Sequence, residues 1–387
     1  TGKGTVTFAD FEQADAIFVL GQNPGTNHPR MLEPLRDAVS RGAQVVCFNP
    51  LKERGLERFQ HPQSMARMLS NSADAMHTAY FRPALGGDLA VLRGMAKYML
   101  QWQREALEGV FDEAFILSQT SGFQDYIAVL DTTDWADVVA QSGLRLDEIE
   151  QAARLFCDAG NTIFCWAMGI TQHHHGVATI QEIVNLQLLR GNIGRAGSGV
   201  CPVRGHSNVQ GDRTMGIDER PSPAFLDRLQ EYFGFSPPRK PGHNTVEAIK
   251  ALLEGRAKVF IGLGGNFAQA TPDSRVTHAA LSRCALNVQI STKLNRSHLM
   301  VSNDALILPC LGRTDIDRQA SGHQCVTVED SFSMVHASCK ARVASTLLIR
   351  WLHVVGARIA VRRGSLPVTC QQICYRKRSG RPVKSMT

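Results

Sequence analysis

Twice along the chain a short apolar run ends on glycine and gives way to a helical pattern. The first is Ala16-Ile-Phe-Val-Leu-Gly21. After it come a turn rich in Asn, Pro and Gly, a helical pattern over residues 31–41, and a second apolar run, Gln44-Val-Val-Cys-Phe48. Short continuous apolar runs on either side of a helix predict a βαβ unit, the signature of a parallel sheet. The second is Val259-Phe-Ile-Gly-Leu-Gly264, with helical patterns over 245–254 and 276–283 around it and further strands expected at 286–290 and 305–308.

Between these regions, helices are expected near 88–103 and 147–159, the latter opening with acidic residues that suit a helix amino end. A strand over 162–168 leads to a glycine turn and His173-His174-His175. The next helix is expected to present Val177, Ile180, Ile183, Val184 and Leu188 on one face and to stop at Gly191. Residues 191–216, rich in Gly, Arg and Asn, predict an extended loop facing a polar ligand. The plainest division is a first α/β domain over 1–205 and part of a second over 206–338. The Pro-rich stretch 236–241 reads as a loop in the second part, and no solenoid repeat is present.

At 387 residues and 43% hydrophobic, the chain can bury two or three ordinary cores. No apolar run reaches membrane-span length. Thr1 is not Met and no signal peptide follows, so the natural start is expected upstream. The formal net charge is +7, but the last 48 residues hold eleven Lys or Arg and no Asp or Glu. Removing those eleven from 42 basic residues leaves 31 against 35 acidic ones, a net of −4. The basic balance therefore carries little weight for a nucleic-acid partner. None of the ten cysteines pairs at the two-residue spacing of zinc or iron–sulfur sites. They read as buried reduced thiols of a cytoplasmic protein rather than a disulfide framework.

Three segments are candidates for chemistry. Gly21-Gln-Asn-Pro-Gly-Thr-Asn-His-Pro29 stands at the carboxyl end of a strand, where open α/β sheets bind ligands. Asn23 and His28 offer hydrogen bonds there, and an ordinary strand–helix turn is the equal alternative to a phosphate site. The spacing is not the dinucleotide glycine pattern, which disfavours a nicotinamide dehydrogenase. Cys201-Pro-Val-Arg-Gly-His-Ser-Asn-Val-Gln-Gly-Asp-Arg213 is dense in polar groups, and Arg204 offers a fork of donors for an anion. A solvated loop is the plainer reading of it. Gly262-Leu-Gly-Gly-Asn266 repeats the glycine exit, as two halves holding one extended ligand would require. The three adjacent histidines do not converge on one ion and read as polar loop residues.

Taken in order, Gly-Gln-Asn-Pro-Gly-Thr-Asn-His-Pro, Trp-Ala-Met-Gly-Ile-Thr-Gln, Leu-Leu-Arg-Gly-Asn-Ile-Gly-Arg-Ala-Gly-Ser-Gly-Val and Pro-Val-Arg-Gly-His-Ser-Asn-Val-Gln-Gly make a specific set. Over residues 1–338 the chain resembles the large subunit of molybdopterin oxidoreductases of the dimethyl sulfoxide reductase superfamily, in particular the formate dehydrogenase-like alpha subunits. The resemblance implies an α/β fold of two Rossmann-like αβα domains with mostly parallel sheets. Between them they would cradle a bis(molybdopterin guanine dinucleotide) cofactor with molybdenum.

On that analogy Gln22, Asn23, His28 and Asn49 lie along one guanine dinucleotide, with Gly169 and Gln172 near the pterin. Arg204 matches the arginine beside the molybdenum and holds a small anionic substrate such as formate. His206, Asn208 and Gly211 follow along the cofactor loop, and Gly265 and Asn266 meet the second dinucleotide. The implied reaction is a two-electron oxidation whose electrons leave through a [4Fe–4S] cluster to an electron-transfer partner.

The pattern departs from close formate dehydrogenases, which carry Cys-Asp-Pro-Arg where this chain has Phe48-Asn49-Pro50-Leu51. The cluster and the molybdenum ligand are expected upstream of Thr1, so no metal ligand is expected within the chain. The capping domain of the family is not matched after residue 338. Residues 339–387 are expected to be out of frame or disordered, with a true basic tail for membrane or nucleic acid as the competing reading. A chain incomplete at both ends has an alternative function as an inert, cofactor-binding fragment.

Overall fold

The computed structural model describes residues 4–59, 74–105, 109–206, 208–312, 315–324, 326–329 and 334–338. The basic segment 339–387 lies outside them, so the expectations placed on it do too. The described residues fall into two compact units, one running to His206 and one starting at Asn208.

The first unit is built on five strands: β1 (Ala16–Leu20), β2 (Gln44–Phe48), β3 (Ala79–Phe81), β4 (Thr162–Trp166) and β5 (Gly199–Pro202). They pair in the order β3-β2-β1-β4-β5, all parallel. The chain moves outward from β1 on one side, then returns to add β4 and β5 on the other. The direction of winding therefore reverses between β1 and β4, and in open α/β sheets that is where a crevice forms at the carboxyl ends of the strands.

Every residue of β1 and β4 is buried, as expected of strands covered on both faces. Alternate side chains feed two cores. Phe18, Leu20, Phe48, Phe164 and Trp166 pack with helix α2 (Asp88–Arg104), while Ile17, Val19, Cys47 and Cys165 pack with Leu35 and Ala38 of α1 (Leu32–Arg41). Phe18 stacks on Phe164 at 4.6 Å between centroids and meets Phe156 edge-on at 5.7 Å. Phe156 belongs to α3 (Leu146–Asp158).

Three expectations are corrected. Helix α4 (Gly176–Leu189) buries Ile183 and half-buries Ile180, Val184 and Leu188 of the expected apolar face, but leaves Val177 out. Val177 is 75% exposed, and the buried side includes Glu182 and Gln187. These polar groups are tolerated because they are paired. The Gln187 amide donates to the carbonyls of Thr162 (2.9 Å) and Gly199 (2.7 Å) and accepts from the Thr162 hydroxyl at 2.8 Å. Glu182 accepts from the Tyr126 hydroxyl at 2.7 Å and lies 3.7 Å from Arg93. Secondly, residues 191–216 are not one extended loop, since they contain β5 and a short helix over Val209–Thr214. A four-residue edge strand bounded by Gly and Pro has no apolar periodicity of its own, and its pairing with β4 creates it. The expected strand over 162–168 ends at Trp166, and Met168 opens one helical turn.

The second unit carries a three-stranded parallel sheet, β8-β7-β6, formed by β6 (Val259–Leu263), β7 (Leu286–Ser291) and β8 (Ala305–Pro309). Helices α5 (Thr245–Leu253) and α6 (Ser274–Ser282) supply a small core of Ile249, Leu252, Ala280 and the nearby Cys284. In β7 the polar Asn287, Gln289 and Ser291 are the buried set, and Val259, Ile261 and Leu263 of β6 are exposed by 52–66%. No helix among the described residues is long and apolar enough to cross a membrane.

Candidate functional site

At the point where the winding reverses, the carboxyl ends of β1, β2 and β4 open onto a cavity of about 270 Å³. Its floor depends on two glycines. Gly21, with φ +54°, leaves β1 directly against Gly169, which follows β4, and the Gly169 amide donates to the Gly21 carbonyl at 3.1 Å. A Cβ on Gly21 would lie 2.8 Å from the Gly169 carbonyl carbon, and one on Gly169 would run into the Gly21 carbonyl oxygen. Only glycine at both positions permits this backbone contact.

Beside the floor, Gln22 is 2% exposed. Its Nε2 donates to Met31 Sδ at 3.0 Å and faces His28 Nδ1 at 3.4 Å. Its Oε1 has no hydrogen-bond partner among the described residues. A buried amide oxygen without a donor costs on the order of 1–3 kcal/mol. Asn23 Oδ1 accepts the Thr26 amide at 3.1 Å, which caps the short turn Pro24–Asn27, and its Nδ2 donates to Glu53 at 2.6 Å. The turn that sequence offers as a phosphate cradle is thus capped by its own side chain.

Asn49 follows β2 and is used internally at both ends. Its Nδ2 donates to the Gln22 carbonyl at 3.2 Å, and its Oδ1 accepts the Leu51 amide at 3.1 Å. The Tyr80 hydroxyl donates to the Leu51 carbonyl (2.6 Å) and accepts from the Glu53 amide (3.2 Å), while Arg82 Nε donates to the Pro50 carbonyl at 3.2 Å. Another wall is made by Asp88, the first residue of α2, and by His173. Burial pushes the Asp88 carboxyl up to about 6, partly opposed by its own backbone amide and by His173. No Lys or Arg is among the described residues lining the cavity. The lining of amides and carboxylates favours a ligand rich in N–H and O–H donors over a bare phosphate.

Of the residues expected from sequence, Gln22, Asn23, Asn49 and Gly169 line this cavity. His28 turns instead to the next loop, where its Nε2 meets the Arg204 carbonyl oxygen at 3.0 Å. Arg204 and His206 are exposed just after β5, and Gln172 is exposed after the turn that follows β4. Glu53 and Asp88 were not singled out in the sequence. Asp88 had a local signal, since an acid after Gly86-Gly87 opens an apolar-periodic helix. Glu53 sits in the charged run Lys52-Glu53-Arg54, which reads as solvated surface.

In the second unit, Gly264 and Gly265 take left-handed conformations in succession, φ +68° and +69°, at the exit of β6. Asn295 donates to the Gly265 carbonyl at 2.6 Å, and the Ser297 hydroxyl donates to Asn266 Oδ1 at 3.2 Å. The buried Ser291 hydroxyl and His298 Nε2 have no partner among the described residues. Asn208 Oδ1 accepts the Glu329 amide at 2.8 Å, and the absence of a side chain at Gly211 leaves room for Asn208.

Comparison with known proteins adds five findings. The family model for molybdopterin oxidoreductase matches residues 3–309. The YdeP protein of Escherichia coli is 48% identical over 341 residues, covering 87% of this chain and 45% of that protein. An uncharacterized oxidoreductase of Mycobacterium tuberculosis is 49% identical over 337 residues, 87% of this chain and 43% of that protein. Formate dehydrogenase H of Escherichia coli is 32% identical over 274 residues, 68% of this chain and 35% of that protein. Among solved structures, acetylene hydratase from Pelobacter acetylenicus matches with a TM-score of 0.54 at 15% identity, over 91% of this chain and 48% of that one, a likeness of fold alone. The chain thus spans less than half the length of each relative.

Proposed function

The chain belongs to the molybdopterin oxidoreductase family, and from that membership we propose that it is the cofactor-holding centre of a molybdenum-dependent oxidoreductase of the formate dehydrogenase type. Membership implies a molybdenum–pterin cofactor. We take its form to be the guanine dinucleotide, with a nucleoside end in the cavity of the first unit. The observation that carries this is the cavity at the carboxyl ends of β1, β2 and β4, walled by amides and carboxylates and floored by the Gly21–Gly169 contact. Cavities that take whole drug-sized ligands run from roughly 300 to 1,000 Å³, so about 270 Å³ suits a nucleoside rather than an entire dinucleotide. Asn208, Gly211, Gly265 and Asn266 of the second unit are proposed as cofactor-binding residues.

When bound, the cofactor supplies two-electron transfer at its metal. The protein's part is orientation and charge. Arg204, on the loop that His28 holds by its carbonyl, is the residue proposed to bind a small anion such as formate. Likeness to formate dehydrogenase H supports that substrate class. An iron–sulfur cluster and an electron-transfer partner complete the proposal.

The test is expression alongside pterin-cofactor synthesis, then metal analysis and hydrolysis of the purified chain. Molybdenum together with guanosine monophosphate is expected, and a product holding neither overturns the reading. With cofactor retained, Arg204→Ala should lower dye-linked formate oxidation and leave molybdenum content unchanged. Equal turnover removes the role given to Arg204. Cofactor retention without turnover in the unmodified chain identifies a cofactor-holding module.

A further inference from the structure

We propose that Glu53 accepts the sugar hydroxyls of the nucleotide in the first-unit cavity. The inference rests on the nucleotide reading above. In dinucleotide-binding α/β folds an acidic side chain beyond the first βα turn takes the ribose hydroxyls. Here the residue that follows β2 is Asn49, and its side chain is committed to the Gln22 carbonyl and the Leu51 amide. Those two bonds shape the turn and leave no carboxylate at that position. Glu53 stands four residues further on and lines the same cavity.

The loop that carries Glu53 is held on several sides. Tyr80 grips it through the Leu51 carbonyl and the Glu53 amide, and Arg82 through the Pro50 carbonyl. Gly25 and Gly55 meet backbone to backbone, since a Cβ on Gly55 would lie 2.6 Å from the Gly25 Cα. That contact brings the β1 turn and the Glu53 loop together. Asn23 then aims the carboxylate through its Nδ2 at 2.6 Å.

A carboxylate fixed in this way accepts charge-assisted bonds from adjacent hydroxyls at little further ordering cost. The amides of Gln22, Asn23, Asn27 and Asn49 line the same cavity and offer further partners to a nucleoside. Among the described residues no three His, Cys, Asp or Glu side chains group as a metal site. The acidic lining is therefore read as a set of hydrogen-bond acceptors.

The full chain, made in cells that lack pterin-cofactor synthesis, is titrated with guanosine monophosphate and with its 2′,3′-dideoxy analogue, and heat release reports binding. The unmodified chain should bind guanosine monophosphate about tenfold more tightly than the analogue, the worth of one charge-assisted bond or more. Glu53→Gln should weaken guanosine monophosphate about tenfold and bring the two ligands level. Equal affinity for both ligands in the unmodified chain overturns the proposal and leaves the nucleotide reading standing, and this arm needs no variant to fold. Discrimination that survives Glu53→Gln overturns it by assigning the hydroxyls to another group. A chain that binds neither ligand overturns both readings.

Discussion

Asp88 shows how one buried carboxyl ties the cavity to stability. Its ordinary value near 4 is raised to about 6 by burial at the cavity wall. Between those values the folded chain keeps a proton that the unfolded chain releases. Stability therefore falls as pH rises from about 4 to about 6 and stays lower above that. Replacing the carboxyl by an amide removes the desolvated charge. Asp88→Asn should raise unfolding stability by up to about 3 kcal/mol at pH 8 and by nothing at pH 4. Urea denaturation at the two pH values measures this, and equal stabilities at pH 8 would show that the carboxylate is solvated. A ligand that donates to Asp88 would offset the same cost in the wild-type chain, so the loss of stability is the counterpart of a binding site.

At the scale of elements, the join between α4, β4 and β5 depends on one amide. Gln187 satisfies two carbonyls on adjacent strands and a hydroxyl that Asn192 also reaches at 2.6 Å. Gln187→Leu would keep the bulk and remove three buried hydrogen bonds. At a net worth of about 0.5–1.5 kcal/mol for each, a loss of roughly 3 kcal/mol is expected in chemical denaturation. Val177→Ser, on the same helix but at a 75% exposed position, should stay within about 0.5 kcal/mol of wild type. Comparable losses for the two variants would mean that the buried face has been misassigned. Helix α4 was legible as a helix and in part as to its face. Apolar spacing placed Ile183 in the core with Ile180 and Val184 against it, but it also favoured the exposed Val177 and gave no sign of Gln187, which strand carbonyls elsewhere in the chain make favourable to bury. Strand β5 was missed for a related reason, because it becomes a strand only through β4.

For the whole molecule, the sheet of the second unit presents Val259, Ile261 and Leu263 alongside Leu306 and Leu308, all more than 40% exposed. Contiguous apolar area of this kind binds hydrophobic dyes and promotes association. Ile261→Lys should lower dye fluorescence of the purified chain and raise its soluble fraction, with little change in melting temperature. Unchanged dye binding would show that the face is covered in solution. The parallel α/β architecture, the strands β1, β2, β4, β6, β7 and β8, and both glycine exits could be read from the sequence alone. These depend on local apolar runs and on backbone conformations that only glycine adopts easily. The ordered motifs likewise carried family membership. Tertiary structure alone decided which polar groups face the cavity. Asn23 and Glu53 are thirty residues apart, and their 2.6 Å contact depends on two turns closing against each other at Gly25 and Gly55. Asn49 lines the cavity as a ligand group would, and the fold shows in addition that each end of its amide makes a bond within the turn. Hydrogen-bonding capacity is spent between residues distant in the chain, so composition and spacing show which groups exist and only the fold shows which remain to meet a ligand.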